Sequence, residues 1–369
     1  MPEAILEAVH VTKHFPVHGG KSDGRFGDVR RRVVHAVDDA SLGLYPGQVT
    51  ALVGESGSGK STLARILAGL YKRTSGEVLL RGQPVRTTHG RAFREHVGDV
   101  QLILQDPYGS FNPMLKVSTH LQRAVRIHDS GRRVARTGAE PGPAAPARAL
   151  RGDALRARTS ELLEQVNLVP PRQFLEKYPH ELSGGQLQRV SIARALAARP
   201  SVILADEPVS NLDVSIRLGV LNLLADLTSA SRVALLYVTH DVASARYFAS
   251  ETAVMYAGEL VECGPSEKVT GEPAHPYTRL LISSAPDPAR RTGRTEVQDK
   301  GQPPSLISPP AGCRFHPRCP LAMPQCSTQP PPRFDLGGGH WSRCWLFESG
   351  GAPTGAAPTG AAPAGGAAS

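Results

Sequence analysis

The sequence predicts an α/β protein built on a largely parallel sheet covered by helices on both faces. Three observations carry this. Apolar runs of strand length, "VTALV", "SVILAD" and "VALLYVTH", alternate with "STLARILAGL", "LSGGQLQRVSIARAL" and "VSIRLGVLNLLADL", which read as helices. Between the first of these strands and the first helix stands a glycine-rich loop, "GESGSGKST" (Gly54 to Thr62). The strand "SVILAD" ends in adjacent carboxylates, Asp206 and Glu207.

Taken in order, residues 1 to about 85 read as short strands and turns interrupted by the glycine-rich loop and its helix. "GGKSDGRFGDVRRR" (Gly19 to Arg32) has no apolar periodicity and reads as a loop. Leu63, Ile66, Leu67 and Leu70 fall at helical spacing. "SGEVLLRGQPV" reads as a turn and a strand. From about 106 to 182 the pattern is helical, and it carries an Ala/Pro/Gly/Arg-rich stretch that predicts a disordered insertion over about 129–155. A hairpin is expected around "TAVMYAGELVECG". After about Pro265 the chain turns Pro-rich and irregular, and residues 349–369 read as a disordered tail.

Gly54, Gly59, Lys60 and Ser61 fit G-x-x-x-x-G-K-[ST]. Such a loop, from Gly54 through Glu55, Ser56, Gly57 and Ser58 to Gly59, Lys60, Ser61 and Thr62, turns backbone N–H groups and a helix N-terminus toward a chain of phosphates. Lys60 is placed to reach the β and γ oxygens and Ser61 to ligate Mg²⁺. Asp206 is expected to hold Mg²⁺ and Glu207 to orient and deprotonate water, because neighbours on a strand point to opposite faces. Ser183, Gly184, Gly185 and Gln186 open a second helix and so form a second anion-binding tip.

Two phosphate cradles in one chain resemble the ABC (ATP-binding cassette) ATPases. The resemblance extends in order over roughly residues 4 to 275. It implies a P-loop NTPase cassette, a RecA-like mixed sheet core with an α-helical subdomain, spanning 1–270. In that reading Phe15 stacks on adenine and Gln105 is the Q-loop glutamine, which also contacts Mg²⁺. Asp213 belongs to the D-loop, and His240 contacts the γ-phosphate. The resemblance further implies a head-to-tail dimer, with ATP on Lys60 closed by the Ser183–Gln186 loop of the facing subunit. Catalysis would rest on positioning and charge neutralisation by Lys60, Gln105, Glu207 and His240.

"GEPAHPYTRLLISSAPDP" and "GCRFHPRCPLAMPQC" resemble the C-terminal extension of ATPases from oligopeptide, dipeptide and nickel importers, here at 271–348. That resemblance implies an ATPase that energises peptide import. Its implied partners are a second, related but non-identical ATPase, two membrane-spanning permease subunits and, indirectly, an extracytoplasmic peptide-binding protein. Cys313, Cys319, Cys326 and Cys344 follow C-x5-C-x6-C-x17-C. Gaps this wide suit a [4Fe–4S] cluster better than zinc. Zinc, a mixed site including His316 or His340, and metal-free thiols stay open. Cys263 falls outside the pattern and reads as an ordinary buried thiol.

The chain has 42 Lys and Arg against 33 Asp and Glu, a net charge of +9. Nine arginines against three acids lie between Arg123 and Arg158, so most of the excess is local. This weighs against a chain-wide nucleic-acid face, although a soluble nucleic-acid-associated ATPase using that segment is the competing class. No stretch approaches 18 uninterrupted apolar residues, and "MPEAILEAVHVTKHF" lacks a signal pattern. The chain is therefore expected at the cytoplasmic face of the membrane, without spanning it.

Overall fold

Residues 3–17, 32–85, 90–136, 150–284 and 301–348 are described by the computed structural model. The loop expected at Gly19 to Arg32 falls almost wholly outside them, as does the tail 349–369.

Chain order opens with β1 (Leu6–Pro16), β2 (Val33–Leu44), β3 (Val49–Val53), α1 (Lys60–Leu67), β4 (Ser75–Leu80) and β5 (Gln83–Pro84). Next come α2 (Arg91–Asp99), β6 (Val100–Ile103), α3 (Val117–Arg136), α4 (Gly152–Gln165), α5 (Pro171–Leu175) and α6 (Gly184–Leu196). β7 (Val202–Asp206), α7 (Val214–Ser231), β8 (Ala234–Thr239), α8 (Val242–Phe248), β9 (Glu251–Tyr256) and β10 (Glu259–Pro265) follow. The chain closes with α9 (Ser266–Gly271), α10 (Pro276–Ser283), β11 (Phe334–Gly337) and β12 (His340–Ser342).

The main sheet has the order β11-β12-β10-β9-β3-β8-β7-β6. β9, β3, β8, β7 and β6 are parallel, and β10, β12 and β11 are added antiparallel. β3, β7 and β8 are buried at every position because both faces of the sheet are covered. Alternate residues feed two separate cores. Ala51, Ile203, Leu235 and Tyr237 pack with α3, α4, α6 and α7 residues such as Leu121, Leu162, Leu187 and Leu224. Leu52, Leu204, Leu236 and Val238 pack with Leu63, Ile66 and Leu67 of α1 and with Leu6, Val11, Leu42 and Val78.

That second core corrects the expectation of helices on both faces. One face is roofed mainly by a four-stranded antiparallel sheet, β2-β1-β4-β5, with α1 beneath it. β1 and β2 are 11 and 12 residues long, not short strands. Their apolar positions are interrupted by bulges between Ala8 and Val11 and again to His14. A bulge inserts an unpaired residue and breaks strict alternation, which hides a long strand from pattern reading.

The insertion placed at about 129–155 is narrower at both ends. α3 continues to Arg136 and α4 starts at Gly152. The first proline after the helix starts, Pro141, comes only past Arg136, and the single Gly131 weakens the helix without ending it. In α4, Leu155, Leu162 and Leu163 are buried and hold the helix to the core. Residues 137–149 lie outside the described set.

The region after Pro265 is also more ordered than expected. α10 begins with Pro276 at its first turn, and the His275 Nδ1 accepts from the Tyr277 N–H as a cap, 3.0 Å. The β11–β12 hairpin joins the edge of the main sheet through Glu262↔Ser342 and Cys263↔Trp341. Glu262 is fully buried there. Its carboxylate accepts from the Ala274 and His275 N–H groups, each at 2.8 Å, and faces His340 Nε2 at 2.8 Å. One carboxylate thus fastens β10, the start of α10 and β12. Glu262→Ala strands two buried N–H groups and is expected to lower unfolding free energy by about 3 kcal/mol in a urea titration. A midpoint equal to wild type would contradict the role given to this contact.

Candidate functional site

β3, β8 and β7 end side by side, with Val53 paired to Thr239 and Asp206 paired to Val238. Each strand hands a chemically active segment to the same edge of the sheet. From β3 comes the glycine-rich loop. Gly59 sits at φ +107, and a Cβ there would lie 2.2 Å from the Ala36 carbonyl oxygen. Gly54 is equally close to the Met255 carbonyl. Any side chain at either position would push the loop off the sheet.

Lys60 is buried, and its ammonium donates to the Gly54 and Glu55 carbonyls at 2.8 and 2.7 Å and to Ser58 Oγ at 3.3 Å. Burial pulls its pKa down, while Glu207, Asp206 and Glu55 oppose the shift. Ser61 Oγ donates to Asp206 Oδ1 at 2.7 Å. Burial raises the pKa of Asp206, with Ser61 and Arg65 pulling the other way. A serine hydroxyl and a buried carboxylate in direct contact form a hard-oxygen pair of the kind that suits Mg²⁺.

Glu207 does not continue the strand, which corrects the alternation expected for the two carboxylates. Its φ is +46, and its N–H donates back to the Val238 carbonyl at 3.0 Å. This left-handed turn, not strand alternation, aims its carboxylate away from Asp206. A non-glycine residue in this region is strained by roughly 1–2 kcal/mol. Gln105 Nε2, just past β6, donates to Glu207 Oε2 at 2.9 Å, and His240 Nδ1 lies 3.2 Å from Oε1. Two hydrogen-bonded groups, Ser61–Asp206 and Gln105–Glu207–His240, thus meet at the adjacent residues 206 and 207, and Lys60 lies near enough to feel the charge of both carboxylates.

The remaining expected residues stand apart from these groups. Phe15 is half-buried, edge-on to Tyr71 at 5.5 Å, with Lys13 Nζ 4.6 Å from its ring centroid. Ser56 and Gly57 are exposed at the loop tip, and Ser61 and Thr62 are half-buried. Ser183 caps α6 reciprocally with Gln186, through Oγ to the Gln186 N–H at 3.3 Å and Oε1 to the Ser183 N–H at 3.1 Å. A Cβ on Gly184 would meet Leu212 at 3.4 Å, and one on Gly185 would meet Ile216 at 2.4 Å, so this tip packs beside the Asp213 loop and α7. No hydrogen bond or ion pair among the described residues joins Ser183–Gln186 or Asp213 to the Lys60 cluster.

Comparison with known proteins fits this layout. The chain is 38% identical over 344 residues to the probable peptide ABC transporter ATP-binding protein y4tS of Sinorhizobium fredii, covering 93% of this chain and 90% of that protein. The chain belongs to the ABC transporter ATP-binding proteins. The family profile described as ABC transporter matches residues 37–210, and a second, described as the oligopeptide/dipeptide transporter C-terminal region, matches 261–326. The oligopeptide transport ATP-binding protein AppF of Bacillus subtilis is 36% identical, covering 94% of this chain and 98% of that protein. Among solved structures, the dimeric bacterial ABC transporter cassette MJ0796 aligns at TM-score 0.55 and 27% identity, over 71% of this chain and 98% of that one. The same cassette in a post-hydrolysis state with ADP and Pi aligns at 0.54. The cassette is an ATPase. Among the described residues, no helix is long and apolar enough to cross a membrane.

Within this ABC protein the four C-terminal cysteines meet. Cys313, Cys319, Cys326 and Cys344 all line one pocket, together with His316. Burial pushes the Cys313 thiol up to about 12 and that of Cys344 up to about 11, and the neighbouring thiols add to both. No three of the four sulfurs lie within 4.8 Å of one another. His316 Nδ1 is engaged by the Cys313 carbonyl at 2.9 Å, and His340 faces Glu262. Cys263 is separate, donating to Glu251 at 3.4 Å in the other core.

Three candidate ligands do converge elsewhere, at His14, His35 and Asp38. Burial opposes ionisation of Asp38, but Arg314, His14 and His35 outweigh it and hold the carboxyl below its usual range. Arg314 already occupies one oxygen of this carboxylate. The cluster is thus a bridge between the antiparallel sheet and the C-terminal residues.

Residues around the phosphate loop that sequence reasoning missed are Tyr277 and Arg318. Tyr277 Oη accepts from the Glu55 N–H at 2.8 Å, and Arg318 pairs with the Glu55 carboxylate. The stretches holding both, "HPYT" and "HPRC", stood out for other reasons. Nothing local in them points to a loop more than 200 residues upstream.

Proposed function

We infer that this chain is the ATP-hydrolysing subunit of a peptide importer, lying against the inner membrane face and coupled to separate membrane-spanning subunits. The single observation that carries the reading is the placing of Lys60, the Ser61–Asp206 pair and the Gln105–Glu207–His240 group at the same ends of neighbouring parallel strands. Peptide as the substrate class is supported by relatives that align over nearly the whole chain and are described as peptide or oligopeptide transport proteins. The cassette is read as 1–270, with an extension over 271–348.

Lys60 exchanges its loop carbonyls for phosphate oxygens when the triphosphate arrives. Ser61 and Asp206 would hold Mg²⁺, which would supply charge neutralisation for the triphosphate. Glu207 accepts the proton of the attacking water, while Gln105 and His240, already at its two oxygens, fix its orientation. The Ser183–Gln186 tip belongs to the other cassette's nucleotide. That no hydrogen bond or ion pair among the described residues joins this tip to the chain's own Lys60 site supports a site completed in trans by a second, related subunit. Phe15, beside Tyr71, offers the edge of an adenine platform.

The four-cysteine pocket fits a [4Fe–4S] cluster better than zinc. A tetrahedral zinc would draw thiolates to roughly 3.8 Å from one another, given Zn–S bonds of about 2.3 Å. No three of the sulfurs lie within 4.8 Å of one another around the pocket, and His340 Nε2 is held by Glu262. Cys313, Cys319, Cys326 and Cys344 would hold the cluster, which would serve to brace the extension. Anaerobically purified protein is expected to contain about four irons per chain and little zinc. One zinc per chain without iron would overturn this assignment.

Glu207→Gln is expected to lower ATP turnover by about a hundredfold or more and to accumulate an ATP-bound pair of cassettes, read by single-turnover kinetics and light scattering. Turnover at the wild-type rate would remove Glu207 from the mechanism. A strain lacking the gene should lose uptake of a labelled tripeptide and keep uptake of free amino acids. Intact tripeptide uptake with lost nickel uptake would replace peptide with nickel as the cargo.

A further inference from the structure

The phosphate loop is gripped from outside the cassette. Arg318 Nη1 and Nη2 donate to the two Glu55 oxygens at 2.9 and 3.0 Å, a two-pronged pair. The arginine side chain is only 4% exposed. Its guanidinium lies 5.8 Å from the Tyr256 and Phe315 ring centroids. Tyr277, from the same C-terminal region, accepts the Glu55 N–H. Together they hold the loop residue next to Gly54 by backbone and side chain at once.

Arg318 is delivered by the short segment from Cys313 to Cys319, whose two ends line the cysteine pocket. Arg314, four residues earlier, reaches Glu259 at 3.1 Å, the Ala257 carbonyl and Asp38. Ala257 lies in the turn between β9 and β10, and the next residue, Gly258, donates its N–H to the Ser58 carbonyl at 2.8 Å. This one segment therefore touches the phosphate loop directly through Arg318 and indirectly through the turn that underlies Ser58.

The charge arrangement gives the contact a consequence. Glu55 places a carboxylate on the loop that must receive a polyanion. Its carbonyl is also one of the oxygens that Lys60 holds. An unneutralised carboxylate here repels phosphate, and a buried guanidinium cancels that charge. We propose that Arg318 is a positioning residue for triphosphate binding. It neutralises Glu55 and fixes the loop, so that the cysteine-walled extension sets the cassette's affinity for ATP. This rests on the nucleotide-site reading and is independent of the transported substrate.

The test is titration of the purified full-length chain with a fluorescent mant-ATP in Mg²⁺, alongside thermal melting. Arg318→Met is expected to raise Kd about tenfold by leaving the Glu55 charge unpaired. Glu55→Gln raises Kd less than Arg318→Met does, and the double variant returns to the Glu55→Gln value. A role confined to holding the fold would give no such relief. Arg318→Lys, a milder change, raises Kd about threefold and is relieved in the same way. Cys326→Ser, on a separate segment of the pocket wall, raises Kd in wild type but not with Glu55→Gln. The proposal is overturned if Arg318→Met and Arg318→Lys bind like wild type, if Glu55→Gln brings no relief, or if the Cys326→Ser effect is absent or survives Glu55→Gln. A wild-type chain that fails to bind mant-ATP at all would sink the nucleotide-site reading as well.

Discussion

The site depends on the parallel pairing of β3, β8 and β7, which end together at one edge of the sheet. Ligands of open α/β sheets sit outside the carboxyl ends of the strands, and here those ends carry the phosphate loop, His240 and the Asp206–Glu207 pair. The strands are buried on both faces, so none can slide without opening two cores at once. That rigidity lets a strained residue persist at Glu207. The positive φ is held by a backbone hydrogen bond to β8, and the two adjacent carboxylates meet different partners, Ser61 for Asp206 and Gln105 and His240 for Glu207.

The parts of this arrangement readable from sequence are those encoded locally. The glycines at 54 and 59 are required by carbonyls only 2.2 Å from a would-be Cβ, and that requirement leaves a visible motif. The mostly apolar runs of β3, β7 and β8 mark doubly buried strands. The long β1 and β2 were obscured because bulges break their alternation. The carboxylate geometry was misread because period-2 logic stops at the last strand residue and Glu207 is one beyond it. The β11–β12 hairpin was missed because its strands are four and three residues long and gain their stability from the β10 edge and Glu262, not from their own pattern.

Long-range charge pairs were the least legible feature. Arg318 and Glu55 are 263 residues apart, and Arg314 and Asp38 are 276 apart. Both arginines are nearly buried, and a buried guanidinium persists only with its partner in place. The C-terminal residues are consequently part of the cassette's architecture. They complete the sheet edge through β12 and support the phosphate loop through Arg318 and Tyr277. The aromatic cluster of Tyr256, Tyr277 and Phe315 excludes water around the second of these supports, with ring centroids 4.4 to 5.5 Å apart.

In the arrangement we propose, one triphosphate is enclosed by two cassettes, the lysine loop from one and the serine–glycine tip from the other. The most direct measurement is photo-cross-linking from a benzophenone side chain installed at position 183 in the assembled pair of cassettes, with and without ATP. The account predicts an ATP-dependent cross-link to the phosphate loop of the facing subunit. Cross-links that stay within one chain, or that ignore ATP, would contradict it.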